Sequence, residues 1–160
     1  MEWILNFKMD LIIPNWPAAK NIKAISSTRN GGLSIGKYAS LNLGIHVGDD
    51  ESNVKMNRAK LVNYAKMPSQ PVWLNQTHST HVTEVKQSTS AILEGDGLFT
   101  KQQGVVCSVM TADCLPVLLA NAKGTQVSAV HAGWRGLSAG IIENAVKKFD
   151  GEVIAWVGPS

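Results

Sequence analysis

The segment TADCLPVLLA, residues 111 to 120, places an acid and a thiol directly in front of an apolar run. Asp113 and Cys114 precede Leu115, Pro116, Val117, Leu118 and Leu119, a run as long as a buried strand. A cysteine inside such a run packs as a small hydrophobe. Cys114 stands instead at its mouth, beside a carboxylate. His78, in PVWLNQTHSTHVTEV, and His131, in TQVSAVHAGWRG, also fall at strand breaks or strand ends. Neutral imidazole and thiolate are the ligands zinc prefers. Three protein ligands leave a fourth position for water or substrate, as catalytic sites require. Blander readings stand beside this one. A single His next to a strand is more often a surface or satisfied core residue. The spacing is far too wide for a zinc-finger signature. His46 and His81 compete as donors: His46 lies in LGIHVGDD within a long loop, and His81, if its segment is a strand, points to the face opposite His78. Cys107 reads as core.

HAGWRG, residues 131 to 136, carries a second chemistry. A strand is expected to end at His131, glycines turn the chain, and a helix is expected to begin near Gly136. Backbone N–H groups at a helix start attract anions, and Arg135 stands beside them, so the turn suits phosphate or carboxylate. The alternative is a tight turn that needs glycine, with Arg135 in a surface ion pair.

The elements that must position these groups follow from the pattern. Residues 11–17 and 22–27 read as short strands, the first ended by prolines. TRNGGLSIGKYASLNLG (28–44) is a long glycine-rich loop of the kind that is often functional. Residues 49–66 form a helix capped by Asp49 or Asp50, with Val54, Leu61, Val62 and Ala65 as its apolar stripe. Strands are expected within 71–85, 95–100, 104–120, 125–132 and 153–158, and one helix over 136–149 with Ile141, Ile142, Ala145 and Phe149 on one face. Strands outnumber helices, so the mixture suggests an α/β sandwich with mixed sheets rather than a doubly wound fold.

With 160 residues, a 44% hydrophobic fraction and 17% charged residues, the chain has the makings of one globular domain. A net charge of +3 without a Lys/Arg run gives no argument for nucleic acid. The longest apolar runs fall short of a membrane span. Two cysteines do not make a disulfide framework, so a reducing compartment, the cytoplasm, is expected. The apolar N-terminus MEWILNFKMDLIIP reads as a first strand rather than a leader with a cleavage site, and the ordered fold is expected to begin effectively at Met9.

Taken in order, STRNGGLSIGKYASLNLGIHVGDDESNVKMNRAKL, PVWLNQTHSTHV, GDGLFT, VMTADCLPVLLA, VSAVHAGWRGLSAG and AWVGPS resemble the YfiH-like family, also called the laccase-domain or polyphenol oxidase family and linked to purine nucleoside phosphorolysis. The likeness runs from about Leu11 to Ser160. It implies an α/β/β/α sandwich and zinc held by His78, Cys114 and His131. It also implies cleavage of adenosine, inosine, guanosine or methylthioadenosine with phosphate, and in some members adenosine deamination. Family members run on past the GPS point, so the chain is expected to be a single domain, 1–160, lacking the family's C-terminal part. Ser79 replaces the commoner glycine after the ligand His.

Within that expectation, Arg135 and Arg29 hold phosphate, Asn42 and His46 line the substrate pocket, and Asp96 and Asp113 orient ligands or move protons. The alternatives are a copper-dependent polyphenol oxidase, a Cys–His hydrolase with Cys114 as nucleophile and His131 as base, acting for example on a cell-wall precursor, and a non-enzymatic interaction module. Against an oxidase with several copper centres stands the count of only four histidines, 46, 78, 81 and 131. The oligomeric state is not legible.

Overall fold

A computed structural model describes residues 8–160. The expectation that the chain's first residues form a strand lies, for residues 1–7, outside the described residues. The chain divides into two compact units, residues up to Ile13 with Ile25–Met67, and Pro14–Ala24 with Pro68–Ser160.

In the first unit, β1 (Leu11–Ile12) pairs antiparallel with β2 (Ser26–Ser27). The glycine-rich segment stays irregular apart from two 3₁₀ turns, Gly36–Tyr38 and Ile45–Val47. Helix α1 (Glu51–Tyr64) starts where Asp50 accepts a hydrogen bond from the Asn53 N–H, the cap the sequence offers. Val54, Leu61 and Val62 bury the expected stripe, while Ala65 becomes the C-cap. Met9, Leu41 and Leu61 form the core of this unit, and Met9 is 1% exposed, so the ordered core does include it.

What holds the long loop is a residue that the apolar pattern does not flag. Asn57 sits on the buried face of α1 at 0% exposure. Its Oδ1 accepts from the Leu33 N–H at 2.7 Å, and its Nδ2 donates to Ser34 Oγ at 2.9 Å and to the carbonyls of Asn42 and Ser40 at 2.9 and 3.3 Å. One amide thus satisfies four loop groups that have no sheet partner. Ser34 in turn donates to Asp49 at 2.6 Å, as does the Asn42 amide at 3.0 Å. These bonds hold the Asp49 carboxyl below its usual range.

The second unit is organised by a five-stranded mixed sheet in the order β11-β9-β10-β7-β5. Two short pairs accompany it: β3 (Pro71–Val72) runs parallel to β8 (Val106–Cys107), and β4 (Leu74–Asn75) parallel to β6 (Leu93–Glu94). Strand β5 (Val82–Glu84) lies parallel to β7 (Gly97–Thr100), whereas β10 (Val127–Ala132) is antiparallel to both β7 and β9 (Leu115–Asn121), and β11 (Val153–Val157) antiparallel to β9. Alternation along the strands separates two cores. Phe99, Val117, Leu119, Val130 and Ala132 pack on Ile141 and Ala145. Leu98 turns the other way, onto Val72, Leu74 and Val85. The result is the expected mixed α/β architecture.

One expected element breaks in two. In place of a single helix over 136–149, α2 spans Trp134–Ala139 and α3 spans Ile141–Val146. Gly140 between them has φ +96°, a left-handed conformation that ends the first helix. Helix α2 also starts earlier than expected, because β10 ends at Ala132 and Gly133 alone makes the turn.

Asn57→Ala should lower the stability of the folded chain by ~2–4 kcal/mol, the cost of orphaning several buried groups at once. Chemical denaturation checks this. Loss of hydrogen-exchange protection confined to residues 33–42 is the expected accompanying sign.

Candidate metal centre

His78, Cys114 and His131 offer one donor atom each, and those atoms lie within 4.8 Å of one another. Each arrives by a different route. His131 is on β10, where it alternates with Val130 and Ala132 and therefore faces away from α2 and α3. Cys114 is the last residue before β9. His78 lies in the loop between β4 and β5, at φ +61°. A non-glycine residue in that region is costly and persists only where its surroundings impose it.

Asp96, between β6 and β7, is what imposes it. This carboxylate is 0% exposed. One oxygen accepts from the His78 N–H at 2.9 Å; the other accepts from the N–H groups of Thr77 and Ser79 at 3.2 and 2.6 Å and from the Ser79 hydroxyl at 2.6 Å. Three successive amides are thereby turned onto one side chain, and His78 takes its left-handed backbone as a result. Burial pushes the Asp96 carboxyl up, but the bonds from Ser79, His131 and His78 outweigh it and hold it below the usual range. Asp96 is therefore ionised and can only accept. His131 Nδ1, 2.8 Å from it, must carry the proton, which leaves Nε2 as the His131 donor.

The approach of the other two donors depends on an absent side chain. A Cβ on Gly133 would stand 2.8 Å from His78 Cδ2 and 3.1 Å from Cys114 Sγ. The first glycine after His131 is thus needed as space. Cys114 Sγ lies 3.8 Å from His78 Nε2, close to the ~3.5 Å that separates neighbouring donors around a tetrahedral ion with bonds of ~2.0–2.3 Å. The His78 and His131 rings meet edge to face, 4.8 Å between centroids. Burial raises the Cys114 thiol, and the charges of Asp113 and Asp96 raise it further. The donor set matches zinc and also accommodates copper.

The other expected site residues divide between the two units. In the second unit, Asp113 is exposed beside Cys114, its Oδ1 3.7 Å from Sγ. Arg135 is exposed on α2, its guanidinium 5.1 Å from the centroid of the Trp134 ring. Arg29, Asn42 and His46 belong to the first unit. There Arg29 Nε donates to the Ala39 carbonyl at 2.8 Å, Asn42 Oδ1 accepts from the Gly44 N–H at 3.0 Å, and His46 is exposed in a 3₁₀ turn. His81 and His46 stay outside the donor group. The strand argument used for His81 does not apply, because His78 is on a loop. Cys107 is half-buried against the second core, and burial raises its thiol to about 12. Ser79, which stands in place of the commoner glycine, supplies two of the bonds to Asp96.

Asp96→Asn should weaken metal binding by ~10–100-fold, since an amide presents donors to donors. A competition titration against a chromophoric chelator measures it. Affinity unchanged from wild type would show that Asp96 does not position the ligands.

Known proteins resemble the chain over nearly its whole length. A family model described as multi-copper polyphenol oxidoreductase laccase matches residues 23–160. A Shigella flexneri protein named purine nucleoside phosphorylase YfiH is 48% identical over 153 residues, 94% of this chain and 63% of that protein. A Haemophilus influenzae purine nucleoside phosphorylase is 49% identical over 155 residues, 95% of this chain and 63% of its own. The crystal structure of a Neisseria meningitidis protein superposes with a TM-score of 0.87 at 42% identity, covering 94% of this chain and 62% of that one. YlmD from Geobacillus stearothermophilus gives 0.80 at 28% identity, over 97% and 65%. The chain thus spans just under two thirds of the length of these relatives. Nearly the whole chain, its His–Cys–His group included, falls within these matches, and the protein belongs to the YfiH-like family, the laccase-domain proteins.

Proposed function

We propose that this chain carries the metal centre of a zinc-dependent purine nucleoside phosphorylase. The observation that supports the reading most is the convergence of His78, Cys114 and His131, with Asp96 fixing both histidines. The names of the relatives supply the substrate class, purine nucleoside and phosphate. His78, Cys114 and His131 hold the ion, and when bound it supplies Lewis acidity toward a substrate oxygen.

The chain's own residues do the rest. Asp96 keeps the proton on His131 Nδ1 and the loop around His78 closed. Arg135 grips phosphate with two parallel hydrogen bonds, which sets the nucleophile for attack on the ribose C1′ as the bond to the base breaks. Asp113, at the rim beside Cys114, exchanges a proton with the departing base or the ribose. Arg29, Asn42 and His46 of the first unit are the further candidates for binding substrate, and the chain is one cytoplasmic YfiH-like domain. Adenosine deamination by the same centre is a side activity.

The description of the family model favours a second reading, copper-dependent oxidation of phenols. The His–Cys–His donors accept copper. The Cys–His hydrolase reading has less support, because its nucleophile needs a lowered thiol pKa and that of Cys114 is raised.

Two measurements decide. Cys114→Ser should abolish stoichiometric zinc binding in elemental analysis while Cys107→Ser retains it; full occupancy in the first variant removes the assignment. Nucleoside cleavage by the whole protein should require phosphate, and Arg135→Lys should raise the phosphate concentration needed by ~10-fold with zinc content unchanged, because a lysine cannot reproduce the paired hydrogen bonds. Equal cleavage without phosphate means hydrolysis, and oxidation of phenols only after copper loading supports the second reading.

A further inference from the structure

Trp134 shares a cleft with the candidate ligand Cys114. It opens α2 with its indole 73% exposed, although a side chain of this size ordinarily buries most of its area. Two residues away from it in the turn, Gly136 is the only buried residue of α2, so the helix does not use Trp134 to anchor itself. The indole does not reach away from the site. Together with Asp113, Cys114, Leu115, Ala132, Leu137 and Ser160 it lines a cleft of about 320 Å³. That volume is at the lower end of small-molecule sites. The Cys114 thiol, the Asp113 carboxylate and Ser160 are its polar groups; Leu115, Ala132 and Leu137 are apolar, with Leu137 itself 44% exposed.

Arg135 completes the arrangement. Its guanidinium lies over the Trp134 ring, 5.1 Å from the centroid. A cation stacked on one face of an indole restrains the ring and leaves the opposite face for a second flat group. A flat, apolar-faced ligand with polar edges is what such a cleft accepts: the faces go to the indole and Leu137, and a ring N–H can donate to Asp113.

We propose that Trp134 is the stacking platform for the purine base, and that it determines the preference of the site for a bicyclic base. The proposal rests on the nucleoside reading above and adds to it the residue that selects the base. The base lies on the indole, while the Arg135 side chain on that ring also reaches phosphate. A single-residue step along α2 therefore separates the group that reads the base from the group that holds the nucleophile.

Binding without turnover tests this. Inosine and uridine are titrated calorimetrically, in phosphate-free buffer, into the zinc-loaded whole protein and its Trp134→Leu and Trp134→Phe variants. Leucine keeps apolar bulk without a π face; phenylalanine keeps the face. Trp134→Leu should weaken inosine binding by ~10-fold or more, as removal of a base-stacking aromatic does elsewhere, and Trp134→Phe should stay within ~3-fold of wild type. Uridine, with less ring to stack, should bind wild type more weakly and lose less in the leucine variant. Zinc content and melting temperature of both variants should match wild type. Inosine binding by Trp134→Leu at wild-type affinity overturns the proposal, as does an equal loss in both variants. A wild type that binds inosine but never cleaves it ends the phosphorylase reading and leaves Trp134 to be judged by affinity. A wild type that binds no nucleoside ends both.

Discussion

The buried carboxylate of Asp96 is the interaction on which this structure turns. A charge at 0% exposure is tolerable only when every lone pair is used, and here amides, a hydroxyl and an imidazole use them. Those partners are the backbone of one candidate ligand and the side chain of another. The same residue also fastens sheet to loop: the Asp96 carbonyl accepts from the His131 N–H at 2.7 Å, and its N–H donates to the His81 carbonyl at 3.0 Å. Fold and site are therefore not separable around residues 76–81, 96 and 131.

This has a thermodynamic corollary. Both histidines are held before any ion binds, so coordination energy is not spent on folding a disordered loop. Zinc fingers, by contrast, order their chains only on binding metal. The third donor, Cys114, is the exception: it stands at a strand entrance, partly exposed, with Asp113, His78 and Gly133 beside Sγ.

Much of this was legible in the residues themselves. The capped helix of residues 49–66, the apolar run after Cys114 and the alternation of 125–132 all express local periodicity, and each became the expected element with trimmed ends. The three donors were legible by type and by their places at strand margins. What periodicity could not carry was anything decided by distant contacts. Asn57 looks like one more polar helix residue until the loop it holds is folded against it. Gly133 looks like a turn residue, yet it is required because His78 and Cys114 crowd its missing side chain. The break at Gly140 is local, but an isolated glycine inside a helical pattern is tolerated often enough that the apolar residues on either side of it outweighed it.

That break has a mechanical meaning. A stretch of six residues is too short to sustain a helix by its own hydrogen bonds. With glycine at each end and one buried residue, α2 is held mainly by what it rests on, and it carries Trp134, Arg135 and Leu137. The opposite wall, Asp113, Cys114 and Leu115 with Ala132, leads directly into the paired strands β9 and β10. The cleft therefore has one fixed jaw and one yielding jaw.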